Sequence, residues 1–201
     1  MSKQVLVAGV GNVFLGDDGF GVEVVNRLLD QSLPDWVQVT DYGIRGVHLA
    51  YELLEDYQVL IIVDALPRGG APGTLYVVEP DLDEDFSNPQ PTAALDGHGM
   101  NPEAVLGLCK TLGARVSRAL VVGCEPEDCS PGMRLSEPVA AAVAPAVDVV
   151  RDLLADVHGS LVAARSDESG MRRSDRRLKV TAPACPGSQR PHAPDPGRGD
   201  T

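Results

Sequence analysis

Val5-Leu-Val-Ala-Gly-Val-Gly-Asn-Val-Phe-Leu-Gly-Asp-Asp-Gly-Phe-Gly-Val-Glu-Val-Val25 sets a buried strand, a glycine-rich turn and a helix in immediate succession. Val5–Ala8 is a short apolar run closed by Gly9, the pattern of a strand covered on both faces. From Gly21 onward, Val22, Val25, Leu28 and Leu29 recur at helical spacing. The turn between them carries two adjacent carboxylates, Asp17 and Asp18. In open parallel sheets ligands sit just beyond the carboxyl ends of strands, so this turn lies where chemistry is done.

Three readings of the turn compete. Gly9-x-Gly11 begins like a dinucleotide fingerprint, but position 14 is Phe14 rather than glycine, and two acids stand where pyrophosphate would dock. A second reading has Asp17 or Asp18 capping the helix while the glycines turn the chain. In the third, one acid caps and the other is a metal ligand or an acid–base group. The turn by itself does not choose between the last two.

Working outward, strands and helices alternate. Val37–Thr40 reads as a strand ending at Asp41, Tyr42 and Gly43. Gly46–Leu54 reads as a short helix with Val47, Ala50, Leu53 and Leu54 as its apolar face. Val59–Val63 is an all-apolar run, a central buried strand that ends in Asp64. Thr74–Val78 is a further strand and residues 81–99 a polar loop. Asn101-Pro102-Glu103 opens a helix that stops at Gly113. Ala119–Gly123 is the last core strand, and Ser136 caps a final helix through Leu154 that contains Pro145. The expectation is a three-layer α/β domain of about five mostly parallel strands with helices on both faces.

That order places acids along one sheet edge: Asp17 and Asp18 after the first strand, Asp41 after the second, Asp64 after the third. Asp64 is the most telling, because an acid directly ending a buried strand is desolvated and must find a partner. Backbone N–H groups could serve it; so could a metal. Of the four histidines, His158 and His192 lie at the domain end and in the tail, and His48 falls within the short helix. His98, in Asp96-Gly97-His98-Gly99, could reach inward from its loop, although a lone loop histidine is usually a surface residue. Two carboxylates and one imidazole would make a three-ligand site with open positions, suited to a borderline divalent ion.

Composition bounds the function. The chain has 201 residues, 43% hydrophobic, with a net charge of −12. Residues 1–158 have a charge balance of −15 and residues 159–201 one of +3. An acidic body argues against nucleic acid and anionic membranes as partners and suits a basic target. No apolar run approaches the ~20 residues of a membrane span, and no signal-like N-terminus is evident, so a cytoplasmic protein is expected. Residues 1–158 are expected to form the domain, and 159–201, rich in Pro, Gly and Arg, a disordered tail. Cys109, Cys124, Cys129 and Cys185 lack zinc or redox spacing, and buried free thiols are expected of the first two. No Ser-His-Asp or His-Glu-x-x-His pattern appears.

Taken in order, Gly9-Val-Gly-Asn-Val-Phe-Leu-Gly-Asp-Asp-Gly-Phe-Gly21, Asp41-Tyr-Gly43, Ile61-Ile-Val-Asp-Ala65, the His98 loop, Gly123-Cys-Glu-Pro-Glu127 and Leu135-Ser-Glu-Pro-Val-Ala140 resemble the NiFe hydrogenase maturation endopeptidases. The resemblance covers about residues 4–155 and leaves out the tail. It implies an endopeptidase that removes the C-terminal extension of the hydrogenase large-subunit precursor after nickel insertion. It implies, too, that Asp18, Asp64 and His98 bind the metal, that Asp17 is the cap, and that Asp18 or Asp41 accepts a proton during cleavage. Many members of that family carry glutamate where this chain has Asp18, so here the metal would sit closer to the turn or the backbone would have to shift. Nickel would come with the substrate, another divalent metal being the alternative. The competing expectation is a non-catalytic nickel-site chaperone that holds the immature large subunit without cutting it.

Overall fold

The computed structural model describes residues 4–55, 57–82, 102–114 and 116–167. The elements run β1 (Val5–Val10), a 3-10 turn (Gly16–Gly19), α1 (Phe20–Leu29), β2 (Val37–Gly43), α2 (Gly46–Glu52), β3 (Val59–Ala65), β4 (Leu75–Val78), α3 (Pro102–Leu112), β5 (Arg118–Cys124) and α4 (Glu137–Asp167). They form one sheet in the order β2-β1-β3-β5-β4, parallel throughout except for β4, which runs antiparallel to β5. This is the expected mostly parallel α/β fold. The antiparallel edge follows from length, since residues 66–74 are too few for the crossover that a parallel neighbour needs.

Alternation along β1 and β3 builds two cores. Val5, Val7, Ile61 and Val63 face Phe20, Val24 and Leu28 of α1 and Val143, Val147 and Val150 of α4. Leu6, Ala8, Leu60 and Ile62 face Leu49 of α2 and Val105 and Cys109 of α3. Both faces of the sheet are therefore covered, which is why these strands read as unbroken apolar runs. Phe20 is fully buried, and truncating such a side chain to alanine costs about 3–5 kcal/mol.

Close packing of α1 on the sheet depends on Gly21. A Cβ there would collide with the carbonyls of Val63 and Val10. The end of α3 is a Schellman closure as Gly113 foretold: Gly113, at φ 81°, donates to Lys110 O and Ala114 to Cys109 O.

Two details differ from expectation. The buried face of α2 is Gly46, Leu49 and Ala50 with Leu53 after it, while Val47 and Leu54 are exposed. Only one side of a short helix can meet the sheet, and the apolar residues lie on two. α4 passes unbroken through Pro145 and continues to Asp167, beyond the boundary expected at 158/159, with His158 stacked on Trp36 at 4.9 Å between ring centroids. Residues 168–201 and most of the 81–99 loop, with His98, lie outside the described residues.

Candidate active site

Parallel pairing sets the strand ends level. Gly9 is in register with Asp41 of β2 and with Val63 of β3, one residue before Asp64. Beyond Gly9 the chain turns at Gly11, at φ 125°, a backbone conformation that favours glycine. A side chain there would collide with the Asp18 carbonyl, and Asp64 Oδ1 would lie 3.6 Å from its Cβ. Gly11 is thus the spacer that lets the Asp18 turn close over Asp64.

Among the described residues three carboxylates are buried, and their surroundings differ sharply. Asp17 has no exposed surface and accepts from Glu127 N (2.8 Å), Asp128 N (2.9 Å), Ser136 N (2.6 Å) and Ser136 Oγ (2.9 Å). Burial works to raise its pKa, but these donors outweigh it and hold the carboxyl below its ordinary value. Glu125, directly after β5, accepts from the N–H groups of Arg68 and Gly69 and from the Tyr76 hydroxyl, and its pKa too is lowered despite burial. Asp64 is different. It is 5% exposed, and its one hydrogen bond among the described residues comes from its neighbour, Ala65 N, at 2.8 Å. Burial, then the negative charge of Asp18, push its pKa well above the usual range. A pair of carboxylates with so few donors is completed by a cation or by a proton.

Asp18 and Asp64 are therefore brought together. Asp18 Oδ2 accepts Asn12 N at 2.6 Å, which folds the side chain back over its own turn. Asp41 is half-buried and level with the edge, but alternation puts it on the same side as Val39, opposite Tyr42, and its carboxylate lies beside Gly43. No described contact joins it to Asp18 or Asp64. His48 is exposed on α2. Among the described residues no group of three or more His, Cys, Asp and Glu is arranged to hold a metal.

Asp17 does not cap a helix. No side-chain cap closes the 3-10 turn or α1. Its carboxylate instead anchors the segment between β5 and α4, and backbone bonds from Gly16 to Gly132 O (2.9 Å), Gly132 to Phe14 O (2.9 Å) and Asp17 to Asp128 O (3.0 Å) continue the seam. The Ser136 hydroxyl expected to cap α4 donates to Asp17. Glu125 was missed altogether, although an acid following an apolar strand is the same signal that marked Asp64. The buried thiols are no nucleophiles: burial pushes Cys109 up to about 11 and, with the Asp17 and Glu125 charges, Cys124 up to about 12. Cys129, though exposed, is also raised, by burial of its thiol and then by Asp18.

The chain as a whole has known counterparts. A family model described as hydrogenase maturation protease matches residues 22–153. The chain belongs to the hydrogenase maturation protease family. A putative hydrogenase maturation protease of Methanocaldococcus jannaschii is 35% identical over 154 residues, 74% of this chain and 94% of that protein. Among solved structures, a hydrogenase 2 maturation peptidase from a Thaumarchaeota archaeon is 39% identical with a TM-score of 0.59, covering 76% of this chain and 98% of that one. The hydrogenase maturating endopeptidase HybD of Escherichia coli is 28% identical with a TM-score of 0.61, covering 77% and 93%. In this hydrogenase maturation protease the Asp18–Asp64 pair lies on the edge where an α/β sheet receives its ligand. No helix among the described residues is long and apolar enough to cross a membrane.

Proposed function

We propose that the protein is an endopeptidase that removes the C-terminal extension of a NiFe hydrogenase large-subunit precursor after nickel insertion, with nickel as the recognition element. The observation that carries this reading is Asp64: a buried carboxylate with one hydrogen bond from the described residues, lying in the field of Asp18. A cation arriving with the substrate relieves that repulsion, so a precursor lacking it gains nothing from the site.

Asp18 and Asp64, with His98, would engage the nickel as cargo of the substrate, and their oxygen and nitrogen donors fit a borderline divalent ion. When bound there, such an ion supplies Lewis-acid polarisation of the scissile carbonyl or of a water. The carboxylate of Asp18 or Asp41 takes the proton released by the attacking water. Gly11 and the seam at Asp17 hold Asp18 in place while this happens, which limits the motion between carboxylate and substrate.

The test is incubation of nickel-loaded and nickel-free precursor with wild type and Asp64→Asn, read as a size shift on a gel. Trimming confined to the nickel-loaded form and lost in Asp64→Asn is the expected result. Absence of trimming with nickel-dependent co-purification would replace the protease by a nickel-site chaperone.

A further inference from the structure

α2 is apolar on a second face that none of the described residues buries. Leu49, Ala50 and Leu53 enter the core, whereas Ile44, Val47, Tyr51 and Leu54 stand 52%, 42%, 58% and 48% exposed. Steps of three, four and three residues align these four along the helix and its flanking turns. Single exposed hydrophobics are ordinary; a stripe at helical spacing with an aromatic in it is the mark of an interface. The stripe begins directly after Gly43, whose carbonyl accepts Gly11 N at 3.1 Å. It is therefore continuous with the edge that carries Asp18 and Asp64.

We propose that this stripe docks the body of the protein substrate, through an apolar patch on the precursor rimmed by basic side chains. The proposal rests on the processing role argued above. Charge selects the occupant. Glu55, exposed next to Leu54, borders the stripe on a chain of net charge −12, which opposes a second copy and complements a basic rim. Nearby Arg45, whose guanidinium donates to the carbonyls of Asp41 (2.6 Å) and Tyr42 (3.1 Å), adds one positive charge that the acidic balance of the chain already includes. Area argues the same way. A scissile segment at two carboxylates buries little, whereas a specific complex buries about 800 Å² per partner, so contact must extend beyond the cleavage edge.

The experiment titrates nickel-loaded precursor into wild type and the double variant V47S/L54S by calorimetry, with trimming followed on a gel. Both side chains are exposed, and an unchanged melting profile checks the fold. Binding weakened about tenfold or more, with KM raised by a similar factor and kcat retained, is expected. Equal affinity overturns the docking role. Sedimentation showing a wild-type dimer that V47S/L54S dissociates gives the stripe to a second copy and overturns it as well. A wild type that binds more tightly than the variant yet never trims sinks the protease reading alone and leaves the docking surface standing.

Discussion

Ser136 and Asp17 stand 119 residues apart in the chain and are joined twice, from the Ser136 backbone N–H to Oδ1 at 2.6 Å and from its hydroxyl to Oδ2 at 2.9 Å. With Glu127 and Asp128 donating to the same carboxylate, Asp17 is the point at which the N-terminal turn meets the segment leading into α4. Asp17→Asn keeps the size but sets an NH₂ group among converging donors. The expected loss is about 2–3 kcal/mol, read as a lower urea midpoint at unchanged slope. The acid limb should respond too. The folded-state pKa lies below the ordinary 3.8, so the stabilisation is fully present above that value and is lost as pH falls through the folded pKa. Asp17→Asn should flatten that part of the stability–pH curve.

Asp64 carries the opposite sign. Its folded-state pKa lies well above 3.8, so stability falls as pH rises past the unfolded value and toward the folded one. Asp64→Asn removes that penalty. Without nickel-loaded precursor, the variant should melt a few degrees higher than wild type at pH 7, on the order of 1 kcal/mol, with the gap closing toward pH 4. A variant that melts lower at pH 7 would show that the carboxylate is better partnered than its hydrogen bonding indicates.

Asp18 separates charge from turn geometry. Asp18→Asn preserves an oxygen for Asn12 N but not the charge beside Asp64. Trimming should fall by about 100-fold or more with little change in stability. Asp18→Glu restores the charge on a longer arm and should recover most of the activity in the same gel assay. Equal trimming by wild type and Asp18→Asn would reduce Asp18 to a turn residue.

Two glycine substitutions should act in opposite directions. Gly21→Ala drives a methyl group into backbone carbonyls of β1 and β3, which cannot swing aside, and should cost about 3 kcal/mol or prevent folding. Gly159 lies in α4 with open space around its Cα, so Gly159→Ala should stabilise the helix by up to about 1 kcal/mol. Thermal melts of the two variants check both.

Most of the fold was legible because both sheet faces are covered, which leaves Val5–Ala8 and Val59–Val63 as apolar runs that fit nothing but central strands. The meeting of Asp18 with Asp64 followed from strand order. What stayed hidden depended on distant partners. No local pattern separates Asp17 as a cap from Asp17 as an anchor, because its donors come from residues 127–136. The buried side of α2 was misjudged for a related reason: Val47 and Leu54 are as apolar as Leu49, and only the sheet's position chooses between them. Glu125 was the avoidable omission, since its place after β5 parallels that of Asp64 after β3.

The seam at Asp17 also dictates when the protein becomes competent during synthesis. The turn bearing Asp18 leaves the ribosome more than a hundred residues before the groups that clamp its neighbour Asp17. β4, too, must wait for β5, the later strand through which it joins the sheet. A nascent chain can pair β1, β2 and β3 early yet has no fixed Asp18–Asp64 pair at its sheet edge. Premature encounters with the precursor are thus met by an unfinished edge, and capture begins only when nearly the whole domain has been made.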